Sequence, residues 1–442
     1  MAIRNSKHFI KLSTDFIYAE STKVKYRVHK NDFTRRRKLH FEVLVLCMLR
    51  LLRKTIQLEL NSFFKSLSSS AQNSVKHITS SAFVQSRKKI RSDLFYDLNG
   101  LIAQEYYKDN DEKVKLYKGH RVLSIDGSTV NLPPSKELKL TYGGFDNQNK
   151  IEDIATARVS VLYDVLNEIV LDGKMCSIKT GEVPLSRKHL QHAKKGDLII
   201  MDRAYPSFES AYLMQQQGVE FLYRCKHNFS NQVFSFFQSG TKEKIVEIKT
   251  GQNKSFKNLP YNKNSSIRVR LIRIVLDSGE IEILMTSLLD NKKYLYKEFK
   301  ELYFKRWSIE KFYNRFKNVI GIERFSGTSD HFIQQEFNCA LYISNIQTIL
   351  TEDAQIEADK KYEHRKYDYK INSSLSLGFI REKLVQLFTE KKMKANDTME
   401  ELKELFVLNV VPIRSGRNYE RKTNKYRQRT TPKQFLNQRI IF

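Results

Sequence analysis

Three acidic residues carry the chemistry most open to inference in this chain. Asp126 ends the apolar run "VLSI", Asp202 ends "LIIM", and Glu310 lies inside "YFKRWSIEKFYNRFK", residues 303–317. In an open α/β sheet, functional groups gather beyond the carboxyl ends of the strands. If the two runs form neighbouring strands, the two aspartates converge there and Glu310 can arrive from a helix. Three clustered carboxylates repel one another unless a hard divalent cation neutralises them, and oxygen donors suit Mg2+ or Mn2+. Two such ions can activate a water or a 3′-hydroxyl and stabilise the leaving oxygen of a phosphodiester. Each residue also has a plainer reading. Asp126 and Gly127 form a common turn pair, and Asp202 can pair with Arg203 or cap the helix that opens at Pro206.

The helix must present Glu310 correctly. At about 100° per residue, Tyr303, Arg306, Glu310 and Lys317 share an arc of roughly 60°. Leu302, Ile309, Tyr313 and Phe316 form the adjoining apolar flank, which faces a core. A carboxylate at that margin is costly to hold alone. Arg306, four residues before Glu310, offers an ion pair worth a few tenths of a kcal/mol. A plain amphipathic helix running from about Tyr294 to Asn318 would account for that pair without any chemistry.

The strands that position the aspartates come next. "RVLSID", "ARVSVLYDVLNEIVLDGKMCSI" with a turn at Asn167, "DLIIMD" and "VEFLYRCK" read as strands. The unalternating "DLIIMD" is expected in the middle of a sheet covered on both faces. Helices read from "PLSRKHLQHAKKG", ending at Gly196, and from "PSFESAYLMQQQG", opening at Pro206 and stopping at Gly218. Strands interleaved with helices from residue 121 onward predict a mixed α/β sheet. Between about 226 and 290 the helices give way to alternating runs with a turn at Asp277-Ser278-Gly279, a β-rich insertion. A second apolar helix begins at Ser329. Residues 355–442 read as a C-terminal region, helical near "LGFIREKLVQLF", followed by a basic tail.

Residues 1–117 are mostly helical. Arg35, Arg36, Arg37 and Lys38 precede an apolar helix. After the Ser-rich break "SLSSSAQNS", the stretch "TSSAFVQSRKKIRSDLFYDLN" reads as a helix capped by Thr79, Ser80 or Ser81 and loaded with Arg87, Lys88, Lys89 and Arg91. A short helix, a turn and a basic second helix suggest a helix-turn-helix module. A solvated basic face on a helical bundle is the alternative. Lys and Arg number 77 against 49 acidic residues, a net charge of +28. Such an excess implies a polyanionic partner, nucleic acid rather than membrane. The longest apolar run, "FEVLVLCMLRLL", is interrupted by Glu42 and Arg50 and does not span a bilayer. The N-terminus lacks the apolar core of a secretory signal. The tail "RSGRNYERKTNKYRQRTTPKQFLNQR", with Tyr419 and Tyr426 among its basic residues, suits a phosphate-tracking arm or a merely solubilising one. Cys47, Cys176, Cys225 and Cys339 are too scattered for a zinc site or a disulfide framework, so free thiols in a reducing cytoplasm are expected.

Taken together, "SIDGS", "IIMDRAYPSF" and "YFKRWSIEKFYNRFK" resemble the DDE transposases of insertion sequences, in the family numbered four. Tyr303, Arg306, Glu310 and Lys317 fit that family's Tyr-x2-Arg-x3-Glu-x6-Lys hallmark without a gap. The likeness covers residues 117 to about 350 and extends loosely to the basic N-terminal entry and the Arg-rich tail. It implies a ribonuclease-H-like catalytic domain over 118–354, with a β-rich insertion between the second Asp and the Glu, and a DNA-binding region over 1–117. It makes Asp126, Asp202 and Glu310 the catalytic metal ligands for two Mg2+ or Mn2+ ions, and Tyr303, Arg306 and Lys317 contacts to DNA phosphates. The implied activity is cleavage at inverted-repeat ends and attack of the freed 3′-hydroxyl on target double-stranded DNA. The implied enzyme is a bacterial homodimer in its synaptic complex, cytoplasmic and nucleoid-associated. Ala204 departs from the Gly that many relatives carry. A structure-specific nuclease on the same core, or a catalytically silent repressor derived from a transposase, remain the alternatives.

Overall fold

The computed structural model describes residues 6–35, 37–71, 77–108, 113–144, 154–250, 256, 259–389 and 392–414. Arg36 and the basic tail from 415 onward, both singled out above, lie outside them. The chain begins with α1 (Ser6–Tyr18), α2 (Glu20–Tyr26), α3 (Phe41–Leu49), α4 (Ile56–Ala71), α5 (Ser80–Arg87) and α6 (Asp93–Tyr106). The expected single helix after the Ser-rich stretch is two, α5 and α6. Thr79 caps α5 by accepting from the Ala82 amide. The helix then closes at Lys88–Ile90, where three-residue-spaced bonds run from Lys89 to Ser86 and from Ile90 to Arg87.

There follow β1 (Val122–Asn131), α7 (Lys136–Tyr142), β2 (Thr156–Asp164), β3 (Ile169–Ser177), α8 (Glu182–His189), β4 (Leu198–Met201), α9 (Phe208–Gln216), β5 (Glu220–Cys225) and α10 (Asn231–Gln238). Next come β6 (Glu243–Lys249), β7 (Ser266–Val275), β8 (Ile281–Thr286), α11 (Glu298–Phe304), α12 (Trp307–Asn318) and α13 (Asp330–Tyr362). The last described elements are β9 (Tyr369–Ile371), α14 (Ser373–Thr389), α15 (Lys392–Leu408) and β10 (Val410–Pro412).

Some boundaries differ from expectation for local reasons. α8 gives way to a 3-10 turn at Leu190–His192 before Gly196, whose φ of 88° turns the chain into β4. Ser207, not Pro206, starts α9, its hydroxyl accepting from the Ser210 amide. The stretch read as strands alone contains α10, capped by Ser230 and packed through Val233 and Phe236.

Strands β1 to β8 form one mixed sheet in the order β3-β2-β1-β4-β5-β8-β7-β6. β4 is parallel to β1 and to β5, whereas β5–β8, β8–β7 and β7–β6 are antiparallel. The first five strands in that order belong to the interleaved strands and helices expected from residue 121 onward, and the hairpins of the 226–290 stretch lengthen the same sheet from the β5 side. β4 is buried along its whole length, as a central strand without alternation requires.

The chain resolves into two compact units, residues 1–108, 130–157 and 314–442 in one and 109–129 with 158–313 in the other. In the first, α13 is the central helix, burying Phe332, Ile333, Phe337, Leu341 and Ile346. Arg87, expected on a basic surface, is instead buried there at 1% exposure. It donates to Gln335, Ser326 and Glu336 at 3.1, 2.7 and 3.1 Å and lies 4.2 Å from the Phe332 ring. A guanidinium satisfied this way ties α5 to α13 and is not a surface cation. Cys47, Cys176, Cys225 and Cys339 are free thiols.

Candidate active site

The second unit holds the acidic residues. Ser124 pairs with Ile200 across β1 and β4, the last pair of that parallel register, and Asp126 and Asp202 each lie two residues beyond it in the chain. Adjacent strands lie about 4.8 Å apart. Ile125 and Met201 are buried, and exposure begins at the two aspartates. The Gly127 amide donates to Asp126 Oδ1 at 2.9 Å. Beyond Asp202 the chain folds into a turn in which the Tyr205 amide bonds the Asp202 carbonyl at 3.1 Å. That turn sends Tyr205 back under the sheet end, 2% exposed, with its hydroxyl 3.4 Å from Asp126 Oδ1. Tyr313 donates to the Asp126 carbonyl at 2.8 Å, which pins the middle of β1 to α12. Burial is the main cause that pushes the Asp126 carboxyl up to about 6, with Glu310 and Glu182 adding to it against the Gly127 amide and Arg306.

The helix expected from Tyr294 to Asn318 is broken. α11 stops at Phe304 and α12 starts at Trp307, with Lys305 and Arg306 in a turn between them. Across it, hydrogen bonds tighten to three-residue spacing, from Arg306 to Tyr303, Ser308 to Lys305 and Ile309 to Arg306, a local 3-10 geometry. The single-helix arc drawn for Tyr303, Arg306, Glu310 and Lys317 therefore holds only for Glu310 and Lys317, two turns apart on α12.

Arg306 is 7% exposed, donates from Nη2 to Glu310 at 2.9 Å, and lies 5.2 Å from the Trp307 ring and 5.8 Å from Tyr303. The i,i+4 ion pair anticipated from spacing is present. It does not exhaust the side chain, because Arg306 Nε is buried and bonds nothing among the described residues. Burial alone would lower the Arg306 pKa, but Tyr303, the Glu310 hydrogen bond and Asp202 together raise it. The guanidinium is thus the positive charge common to Asp126, Asp202 and Glu310. Tyr303 is buried, which pushes its hydroxyl up to about 12.

The donor set is oxygen only, one carboxylate midway along β1, one just past β4 and a third on α12, and it suits a hard divalent cation. Asp126 is a carboxylate whose charge is held at a cost, and a cation beside it would remove that cost. Among the described residues no three His, Cys, Asp or Glu side chains are already drawn together as a metal cage; Glu310 is turned to Arg306 instead.

Several features were not legible in the sequence. Tyr205 and Tyr313 contact Asp126 from afar, and Glu182 approaches it from the start of α8. A Ser160–His189–Asp172 chain, with His189 at 2.9 Å from Ser160 and 2.8 Å from Asp172, resembles a hydrolytic triad in type alone. All three residues are 2% exposed or less, so it serves to lock α8 onto β2 and β3. Of the N-terminal candidates, which belong to the helical unit, Arg35, Arg37, Lys38 and Lys88 are exposed. Lys89 pairs with Asp32 at 3.5 Å.

A family model described as "Transposase DDE domain" matches residues 117–346. The transposase for insertion sequence element IS231B of Bacillus thuringiensis subsp. berliner is 21% identical over 352 residues, covering 69% of this chain and 70% of that one. The cryo-EM structure of the piggyBac transposase synaptic complex with hairpin DNA is 11% identical, covers 98% of this chain and 91% of its own, and has a TM-score of 0.48.

Proposed function

The chain belongs to the transposase DDE-domain family, and from that premise we propose that it moves an insertion sequence by cutting DNA at the element's inverted-repeat ends and joining the freed 3′-hydroxyls to target DNA. The observation that supports this most directly is the parallel pairing of β1 with β4, whose last paired residues, Ser124 and Ile200, each stand two residues before an aspartate. The family uses divalent metal ions. On this reading Asp126, Asp202 and Glu310 hold two Mg2+ ions, or Mn2+ in their place, which supply an activated nucleophile at neutral pH and a stabiliser for the leaving oxygen.

The chain's own groups do the rest. Gly127 and Tyr205 orient the Asp126 carboxylate, and Tyr313 holds the strand that carries it. Arg306 has a donor without a partner among the described residues, and its planar fork suits paired phosphate oxygens near the scissile bond. Tyr303 and Lys317 contribute a hydroxyl and a second charge to the same strand of DNA. Residues 1–117, with the exposed Arg35, Arg37, Lys38 and Lys88 toward the duplex, read the element's ends, while the net charge of +28 supplies sequence-independent affinity. Two copies bring the two ends together. Among the described residues no helix is long and apolar enough to cross a membrane, and the proposed place of work is the bacterial nucleoid.

The test is Asp202→Asn, which removes a charge at nearly constant shape. With Mg2+ and DNA bearing the element's ends, cleavage should fall by several orders of magnitude while end binding persists. Cleavage near the wild-type rate in that variant would remove Asp202 from the reaction.

A further inference from the structure

A fourth carboxylate faces the site. Glu182 begins α8, and a Cβ placed on Gly127 would lie 3.2 Å from its Oε1 and 3.4 Å from the Tyr205 hydroxyl. The carboxylate therefore stands close against the Asp126–Gly127 step, where an added Cβ would press it back by a few tenths of an ångström. Arg158, on β2, holds Glu182 Oε1 and also donates to the Ile178 carbonyl at 3.3 Å. The other oxygen of Glu182 accepts no hydrogen bond from a described residue, and 37% of the side chain is open to solvent. The helix that carries it is fixed from behind by His189, which bridges Ser160 and Asp172. An acid on so firm a base, with one oxygen free, is preorganised for a ligand outside the protein.

The ion pair alone gives a weak reason for an acid here. A partly exposed pair of this kind contributes about 0–1 kcal/mol.

We infer that Glu182 is a positioning residue for the divalent ion, accepting hydrogen bonds from the water around the ion at the Asp126 position. This rests on the reading of Asp126 as an ion-binding residue. Groups in that role typically change metal affinity by roughly 10- to 100-fold when lost.

The experiment is a titration of the full-length protein with Mn2+ alone, without DNA, followed by calorimetry and by the loss of free-Mn2+ resonance signal. Glu182→Gln should bind Mn2+ about 10- to 100-fold more weakly than wild type while melting within a few degrees of it. Glu182→Asp should recover part of that loss. Gly127→Ala, which presses a methyl on the same carboxylate, should weaken binding severalfold. Asp126→Asn, run in parallel, should abolish high-affinity binding. If Asp126→Asn loses Mn2+ and Glu182→Gln binds it as wild type does, the role of Glu182 is refuted and the site reading stands. If Asp126→Asn itself binds as wild type, the site reading falls and this inference with it.

Discussion

Replacing Asp126 with Asn should make the protein more stable and inactive at once. In the folded chain burial raises the Asp126 carboxyl from an ordinary 3.8 to about 6. At roughly 1.4 kcal/mol for each tenfold change in proton affinity, ionising it in the native state costs about 3 kcal/mol more than in the unfolded chain. The sign follows from proton counting. Between about pH 4 and pH 6 the native state binds more protons at this residue than the unfolded state, so stability falls as pH rises through that window. Below it both states are protonated and the residue is neutral in effect; above it the whole cost is present. Asp126→Asn keeps an oxygen for the Gly127 amide and removes the charge. Its melting temperature should match wild type near pH 4 and exceed it at pH 7.5 without divalent ions, by on the order of 2–4 °C per kcal/mol. Adding Mg2+ should close the gap from the wild-type side, since only wild type has the anion that gains from the ion. The assay is chemical and thermal denaturation from pH 4 to pH 8 in chelator and then in Mg2+. Equal stability at pH 7.5 in chelator, or an unchanged gap at pH 4, would refute the account of Asp126 as a carboxylate held ionised at a cost.

Arg306→Lys preserves the charge that faces Glu310 and gives up the planar fork, so it should melt close to wild type yet lose about 10- to 100-fold in end cleavage or strand transfer; normal activity would assign Arg306 to the ion pair alone. Arg87→Met, in the helical unit, leaves Glu336 short of its nearest guanidinium and should cost about 3 kcal/mol in urea denaturation. Its salt dependence of DNA binding should stay unchanged, and a decrease equivalent to one phosphate contact would return Arg87 to the DNA surface.

The features the sequence determined are those set by neighbours along the chain. An apolar run ending in Asp marks a buried strand reaching solvent, and this places Asp202 just past β4; Asp126 meets solvent midway along β1, which continues to Asn131 where the sequence suggested a turn at Gly127. The turn at Asp277-Ser278-Gly279 was equally legible, since Gly279 supplies the φ of 81° that it needs. The cap at Thr79 and the start of α13 after Ser329 are likewise written in residues within a turn of their effect. What only the tertiary structure decided depends on contacts between distant segments. No spacing states that β1 lies beside β4 in the register that pairs Ser124 with Ile200, because register is chosen by the packing of both sheet faces together. The break at Lys305–Arg306 is of the same kind. Periodicity runs smoothly through it, and the turn forms where Arg306 is buried against Tyr303 and Trp307. Arg87 looks like any basic residue in a charged stretch until Gln335, Ser326 and Glu336 arrive from more than two hundred residues away. Glu182 is silent for the same reason. Its nearness to Asp126 is created by the fold of α8 onto β2 and β3, a meeting in space that the linear order of residues does not encode locally.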